Sequence, residues 1–245
     1  MDKLIYTAMS GAKYLLARQD TAAQNLAHAS TTGYRAQVDA MRSAPLGAGA
    51  GTRVLATDAT VGTNFAPGPV QSTGNPLDVA VSGRGWIAVQ GADGNEAYTR
   101  FGALEVSTDG LLQTRTGLPV LSDGGGPINA PTDARVTIAE DGTVSAIPNS
   151  GARVPATLGR IKLVNPDDAE LLRGADGLFR AREGDAPADP AVRLQTQALE
   201  GSNVNAVEAM VTMIAVARQF EMQMKMISAA DDNARHADKL LSEAG

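Results

Sequence analysis

Two stripes of small and apolar residues, one at each end of the chain, constrain this sequence more than any other feature. In the first, Ile5, Met9, Ala12, Leu16, Gln19, Ala23 and Leu26 recur at alternating spacings of four and three. In the last, Ala209, Met213, Val216, Phe220, Gln223, Ile227, Ala230, Ala234, Ala237 and Leu241 do the same. That spacing lines side chains along one face of a helix and invites a second helix to pack on it. Between the stripes lies a middle rich in Gly, Thr and Val, with the pattern of strands and turns. The expected fold class is α+β: long N- and C-terminal helices packed as a coiled coil, with a central antiparallel all-β domain.

The first helix is expected over about residues 2–29, roughly 40 Å at 1.5 Å per residue. Ser30, Thr31, Thr32 and Gly33 end it, with Gly33 as the stop. The last helix is expected from Asn205, an N-cap with Glu208 three residues on, to about Ser242. Val207, Met210, Val211 and Ile214 widen its apolar face beyond the stripe, so it should meet more than one neighbour. Met210, Met213, Met222, Met224 and Met226 also lie on it, and methionine suits an adaptable interface.

The middle reads as short strands at Leu77–Val81, Trp86–Val89, Tyr98–Phe101, Leu104–Val106, Leu111–Thr114, Pro119–Leu121, Val136–Ile138, Thr143–Ser145 and Leu158–Val164. Asp109-Gly110 and Asp141-Gly142 are hairpin turns. Tyr34 to Met41 fits either extended chain or a helical continuation, and 45–51 reads as a flexible loop. The domain division is 1–33, an N-terminal assembly helix; 34–73, an extended linker region; 74–200, the central β domain; and 201–245, a C-terminal assembly helix.

Composition narrows the chemistry. A formal charge of −6 without a basic cluster argues against a nucleic-acid surface. The longest apolar stretch, Val211 to Ala217, is far too short to span a bilayer. No cleaved secretory leader is legible at the N-terminus, where Asp2, Lys3, Tyr6, Thr7, Ser10 and Lys13 interrupt any apolar run. There is no cysteine, which removes disulfides, thiolate nucleophiles and thiolate metal sites. The only histidines, His28 and His236, sit near the ends of the expected helices, so a Ser-His-Asp triad in the β region is excluded. Neither Gly83-Arg84-Gly85 nor Gly124-Gly125-Gly126 completes a phosphate-binding fingerprint. No catalytic, cofactor or metal residue is expected. An enzyme reading would need a carboxylate pair in a deep cleft, with Glu96, Glu105 and Glu140 as the available acids.

Four blocks, in order, carry a resemblance. They are AAQNLAHASTTGYR from Ala22 to Arg35; GNPLDVAV from Gly74 to Val81 with Gly83 and Gly85; YTRFG from Tyr98 to Gly102; and LEGSNVN from Leu199 to Asn205, followed by Met213-Ile214 and Arg218-Gln219-Phe220-Glu221. Together they resemble the bacterial flagellar rod and hook protein family. The opening Met1 to Ala12 and the length look most like its proximal-rod members, with distal-rod members the alternative.

The resemblance implies a structural, non-enzymatic subunit of the flagellar basal-body rod, which spans the periplasm and transmits motor torque. Its partners would be other rod subunits, with further copies of itself among them, and the flagellar type III export apparatus on the way out. Neither nucleic acid nor membrane insertion is implied. Outside the family, a small coiled-coil adaptor is the rival reading. The expected assembly interface comprises Ile5, Met9, Ala12, Leu16, Ala23, Asn25 and Leu26 from the first helix. From the C-terminal segment it comprises Asn203, Val204, Val207, Met210, Met213, Val216, Phe220, Met224 and Ile227.

Overall fold

The computed structural model describes residues 2–40, 42–45, 54–57, 61–149 and 154–243. Among them are two α-helices, α1 (Asp2–Ala27) and α2 (Ala206–Glu243), with short strands and one 3-10 turn between. The chain divides into two compact units: residues 1–29, 36–64 and 204–245 form the first, and residues 30–35 and 65–203 the second.

In the first unit, α2 begins where a cap allows it. The Asn205 side-chain oxygen accepts from the amides of Val207 (3.1 Å) and Glu208 (3.3 Å), two donors that a helix start leaves unpaired. Asn205→Ala should weaken the start of α2 by about 1 kcal/mol. Faster amide exchange in that first turn is the measurement that checks it.

The segment after α1 contains two antiparallel ladders. Gln37–Asp39 pairs with Val61–Thr63, and Arg42–Pro45 with Val54–Thr57. The Asn25 carboxamide docks α1 on the first ladder. It donates to the Gln37 carbonyl (2.8 Å) and accepts from the Gln37 amide (2.9 Å), pairing as a neighbouring strand would. One turn earlier, Thr21 donates to Asp39 (2.8 Å). Residues 46–51, most of the expected flexible loop, lie outside the described residues.

The second unit is built on a five-stranded antiparallel sheet ordered Leu163–Val164, Trp86–Gln90, Glu96–Thr99, Phe179–Ala181, Leu171–Arg173. Alternation along Trp86–Gln90 serves two cores. Ile87 and Val89 enter an aliphatic cluster with Leu104, Leu112, Val120 and Ile161. Trp86 and Ala88 enter a second cluster with Tyr98 and Phe179. Trp86 lies 4.6 Å from Phe179, centroid to centroid, and Phe65 meets its edge at 6.0 Å. Tyr98 is buried and its hydroxyl accepts from the Ala186 amide; burial pushes it up to about 12.

Hairpins form at both Asp-Gly steps, where Gly110 and Gly142 take positive φ. Pro119–Leu121 makes isolated bridges only. The expected strand Leu158–Val164 divides: Ala156–Arg160 joins a three-stranded sheet, while Leu163–Val164 pairs with Trp86–Gln90. Both parts have apolar residues that suit a strand, and the pattern alone does not say that they serve different sheets.

The coiled-coil part of the expected fold class is overturned. The two helices touch, but their described side chains do not pack as a coiled coil. Met9 and Leu16, expected as knobs, are 57% and 47% exposed. Among the described side chains of α1 the buried ones are Ala8, Ala12 and Ala22, too short to fill holes on a facing helix. The polar bond between the helices runs from Gln223 Nε2 to the Ala8 carbonyl (2.9 Å), and a Cβ at Gly11 would meet the same Nε2 at 3.1 Å. A 4-3 spacing marks a stripe; beside it on α1, Ala8 and Gly11 let a long amide reach the opposite backbone instead of interlocking with it.

Candidate assembly interface

The first unit leaves a large apolar surface on α2. Val207, Met210, Val211, Ile214, Met222, Met224 and Met226 are all exposed, Val207 to 69%. On the opposite stripe of α2, Ala209 and Val216 are buried and Met213, Phe220, Gln223 and Ile227 are half-buried. The helix thus has one face against its own chain, and Val207, Met210, Val211 and Ile214 cluster exposed on the other side of its first turns.

Of the remaining expected interface residues, Ala12 is buried, Ala23 exposed and Leu26 half-buried. Asn25 is half-buried and engaged by Gln37 within the chain. Asn203 and Val204 are half-buried, and the Asn203 side chain donates to the Ala66 carbonyl (2.8 Å). The side chains of Ile5, Ala234, Ala237 and Leu241 lie outside the described residues.

The second unit holds the chain segments that lead out of α1 and into α2. Gly33 donates its amide to the Glu200 carbonyl (2.7 Å), and Asn203 donates its amide to the Tyr34 carbonyl (3.3 Å). Beneath these bonds lies a buried charge cluster. Arg35 Nη2 donates to Glu200 Oε1 (2.7 Å), and Arg100 Nη1 donates to Glu200 Oε2 (3.0 Å). The Gly68 amide also donates to Glu200 Oε1 (2.9 Å). Glu200 and Arg35 are 1% exposed and Arg100 5%. Burial draws Arg100 below the usual guanidinium range; Glu200 opposes the shift and Arg35 adds to it.

One carboxylate thus ties its own strand to three other segments of the chain, at Arg35, Gly68 and Arg100. Arg173 closes the cluster from outside. It donates to the Arg35 carbonyl (2.8 Å), and its guanidinium stands 4.6 Å from the Tyr34 ring centroid. Arg35, Arg100 and Glu200 all fall within the quoted sequence blocks, yet reading for apolar periodicity passed over them, because a buried charge breaks that periodicity.

The acids considered for catalysis are otherwise engaged or exposed. Glu96 pairs with Lys162 (2.7 Å), Glu105 accepts from Gln113 (3.0 Å), and Glu140 is exposed. An open groove of about 530 Å³ is lined by Asp167, Glu170, Glu183, Asp185 and Asp189, none of them buried. Among the described residues no group of three or more acids or histidines is placed to hold a metal ion. No helix among them is long and apolar enough to cross a membrane.

A β body with a charge-locked junction, and a helix that keeps an uncovered apolar face, define a structural protein. Comparison with known proteins makes this specific. Residues 5–35 match the family model described as flagella basal body rod protein. Residues 80–146 match the flagellar hook protein FlgE/F/G D1 domain, and 195–240 the flagellar basal body rod FlgEFG protein C-terminal model. The chain is 50% identical to flagellar basal-body rod protein FlgF of Escherichia coli (strain K12) and 47% identical to that of Salmonella typhimurium (strain LT2), over 99% of each chain. It is 33% identical to flagellar basal-body rod protein FlgG of Agrobacterium fabrum, over 89% of this chain and 92% of the relative. The chain belongs to the flagellar basal-body rod protein family, on the branch of its FlgF members. It is a structural subunit of the rod in the flagellar basal body, and its family is not a family of enzymes.

Proposed function

We propose that this subunit joins the proximal rod through its terminal helices and there carries motor torque along the axis. The observation that carries the reading is the exposed apolar cluster Val207, Met210, Val211 and Ile214 on the first turns of α2, with Met222, Met224 and Met226 exposed further along. Burying such side chains contributes about 25 cal/mol per Å² of apolar surface, which favours a bound state over a free one. On α1, exposed Met9 and Leu16 extend the same chemistry, and Ile5, Ala23 and Leu26 are assigned to the interface with them. On the C-terminal segment, half-buried Asn203, Val204, Met213, Phe220 and Ile227 are assigned to the rim of that contact, while Val216, 1% exposed, supports the helix from inside its own chain.

The partners are other rod subunits, those of the FlgG kind foremost, and further copies of this chain. Contacts of the head-to-tail kind extend into an open helix rather than closing into a ring. The rod lies in the periplasm, and the chain reaches it through the flagellar export apparatus. It has no enzymatic activity and holds no cofactor.

The test is Met210→Glu combined with Ile214→Glu, one turn apart on the exposed face. Two charges at exposed positions should leave monomer stability within about 0.5 kcal/mol. Binding of the variant to a purified FlgG-type rod protein should fall at least tenfold, and cells carrying it as their sole copy should lose swimming. Unchanged binding and normal flagella in those cells would refute the role given to α2.

A further inference from the structure

The buried cluster is not symmetric in what holds each charge. Besides Glu200, Arg100 has backbone acceptors: it donates to the carbonyls of Val81 (3.3 Å) and Gly83 (2.7 Å). Arg35 has no such support. Its Nε and Nη1 are buried without a hydrogen-bond partner, so the carboxylate of Glu200 is the group that compensates its burial.

The backbone is asymmetric in the same sense. The C-terminal segment is carried by ladders of its own: Arg193–Thr196 on Val79–Ser82, and Ala198–Glu200 on Val70–Ser72. The N-terminal segment, residues 30–35, belongs to no strand. Its holds include Gly33 on the Glu200 carbonyl, the Asn203 amide on the Tyr34 carbonyl, Arg173 on the Tyr34 ring and the Arg35 carbonyl, and Arg35 on Glu200, single contacts rather than a ladder.

We propose that Glu200 and Arg35 form a one-way interlock, in which the segment leading out of α1 docks only after the segment leading into α2 has placed Glu200 against Arg100. Arg100 is the fixed socket. Glu200 enters it with its own ladder, and only then does a buried site exist that accepts the Arg35 cation. The paired residues are 165 positions apart, so closure reports that two distant segments of the second unit have come together. Residues 30–35 follow α1 in the chain and residues 200–203 precede α2, so the interlock joins the two connecting segments in a set order. It is a property of the single chain and stands whatever partner the helices meet.

Amide exchange on the full-length chain tests the direction. Glu200→Gln should raise exchange at Gly33 at least tenfold, since Arg35 loses the one charge that balances it. Arg35→Met should raise exchange at Gly201, whose amide donates to the Pro69 carbonyl (2.8 Å), by less than threefold. Lys162→Met, which breaks the Glu96 pair elsewhere in the same unit, should leave both amides within threefold of the unaltered chain. If Glu200→Gln loses the native emission of Trp86, the comparison is made with Glu200→Asp, which keeps the charge on a shorter arm and should show the same order at smaller size. Equal loosening of Gly201 by Arg35→Met, continued protection of Gly33 when Glu200 is altered, or an equal response to Lys162→Met would each overturn the interlock.

Discussion

Replacing Glu200 by Gln should cost the second unit about 3–5 kcal/mol, the range for removing one partner of a buried ion pair. The size follows from what stays behind. Two guanidinium groups, 1% and 5% exposed, would face each other across a neutral amide. Arg100 would keep its two backbone acceptors, whereas Arg35 would keep none of comparable strength. A domain is stable by only about 5–15 kcal/mol, so the loss is a large fraction of the whole. Trp86 is the sole tryptophan, it is buried, and the Arg100 guanidinium stands 5.3 Å from its ring centroid. Its emission in a urea titration therefore reports unfolding of this unit, and the midpoint should move to lower denaturant with little change in slope. A midpoint displaced by less than the equivalent of 1 kcal/mol would mean that the carboxylate is not what holds the cluster.

Gly33→Ala is expected to destabilise the same junction by roughly 2–4 kcal/mol, from left-handed backbone strain and a forced contact acting together. Gly33 has φ +69°, and a Cβ there would lie 2.4 Å from the Arg100 carbonyl carbon and 2.6 Å from its oxygen. Backbone atoms cannot yield as a flexible side chain does. Gly94 provides the internal comparison: its φ is +80°, yet nothing lies within 4 Å of the position a Cβ would take. Gly94→Ala should therefore show the strain alone, about 1 kcal/mol. The difference between the two midpoints measures the clash, and equal midpoints would show that the approach of Gly33 to Arg100 is looser than 2.4 Å.

The two helices were legible because periodicity and the Asn205 cap are local signals; Gly33, expected as the stop of α1, lies six residues past its end and bonds Glu200 instead. α1 (Asp2–Ala27) and α2 (Ala206–Glu243) begin and end within a few residues of the expected limits. The Asp-Gly turns were legible for the same reason. How the helices meet was not. The helices meet beside the α1 stripe rather than on its large residues, where a Gln223 amide reaches the backbone at Ala8, a contact between residues 215 apart. The ladders inside 34–73 were also missed, because strands of three or four residues carry too little alternation to separate from extended linker.

From the sequence alone came the helical ends, the β-rich middle, the absence of thiol and triad chemistry, and the ordered blocks that mark the rod family. All of these depend on neighbours along the chain or on residue type. The tertiary structure decided the rest: that Leu158–Val164 serves two sheets, that the helices touch without interlocking, and that Arg35, Arg100 and Glu200 share one dry site. Those facts depend on which distant segments come together, and the energy of a buried charge is set by the partner that arrives, not by the residues beside it.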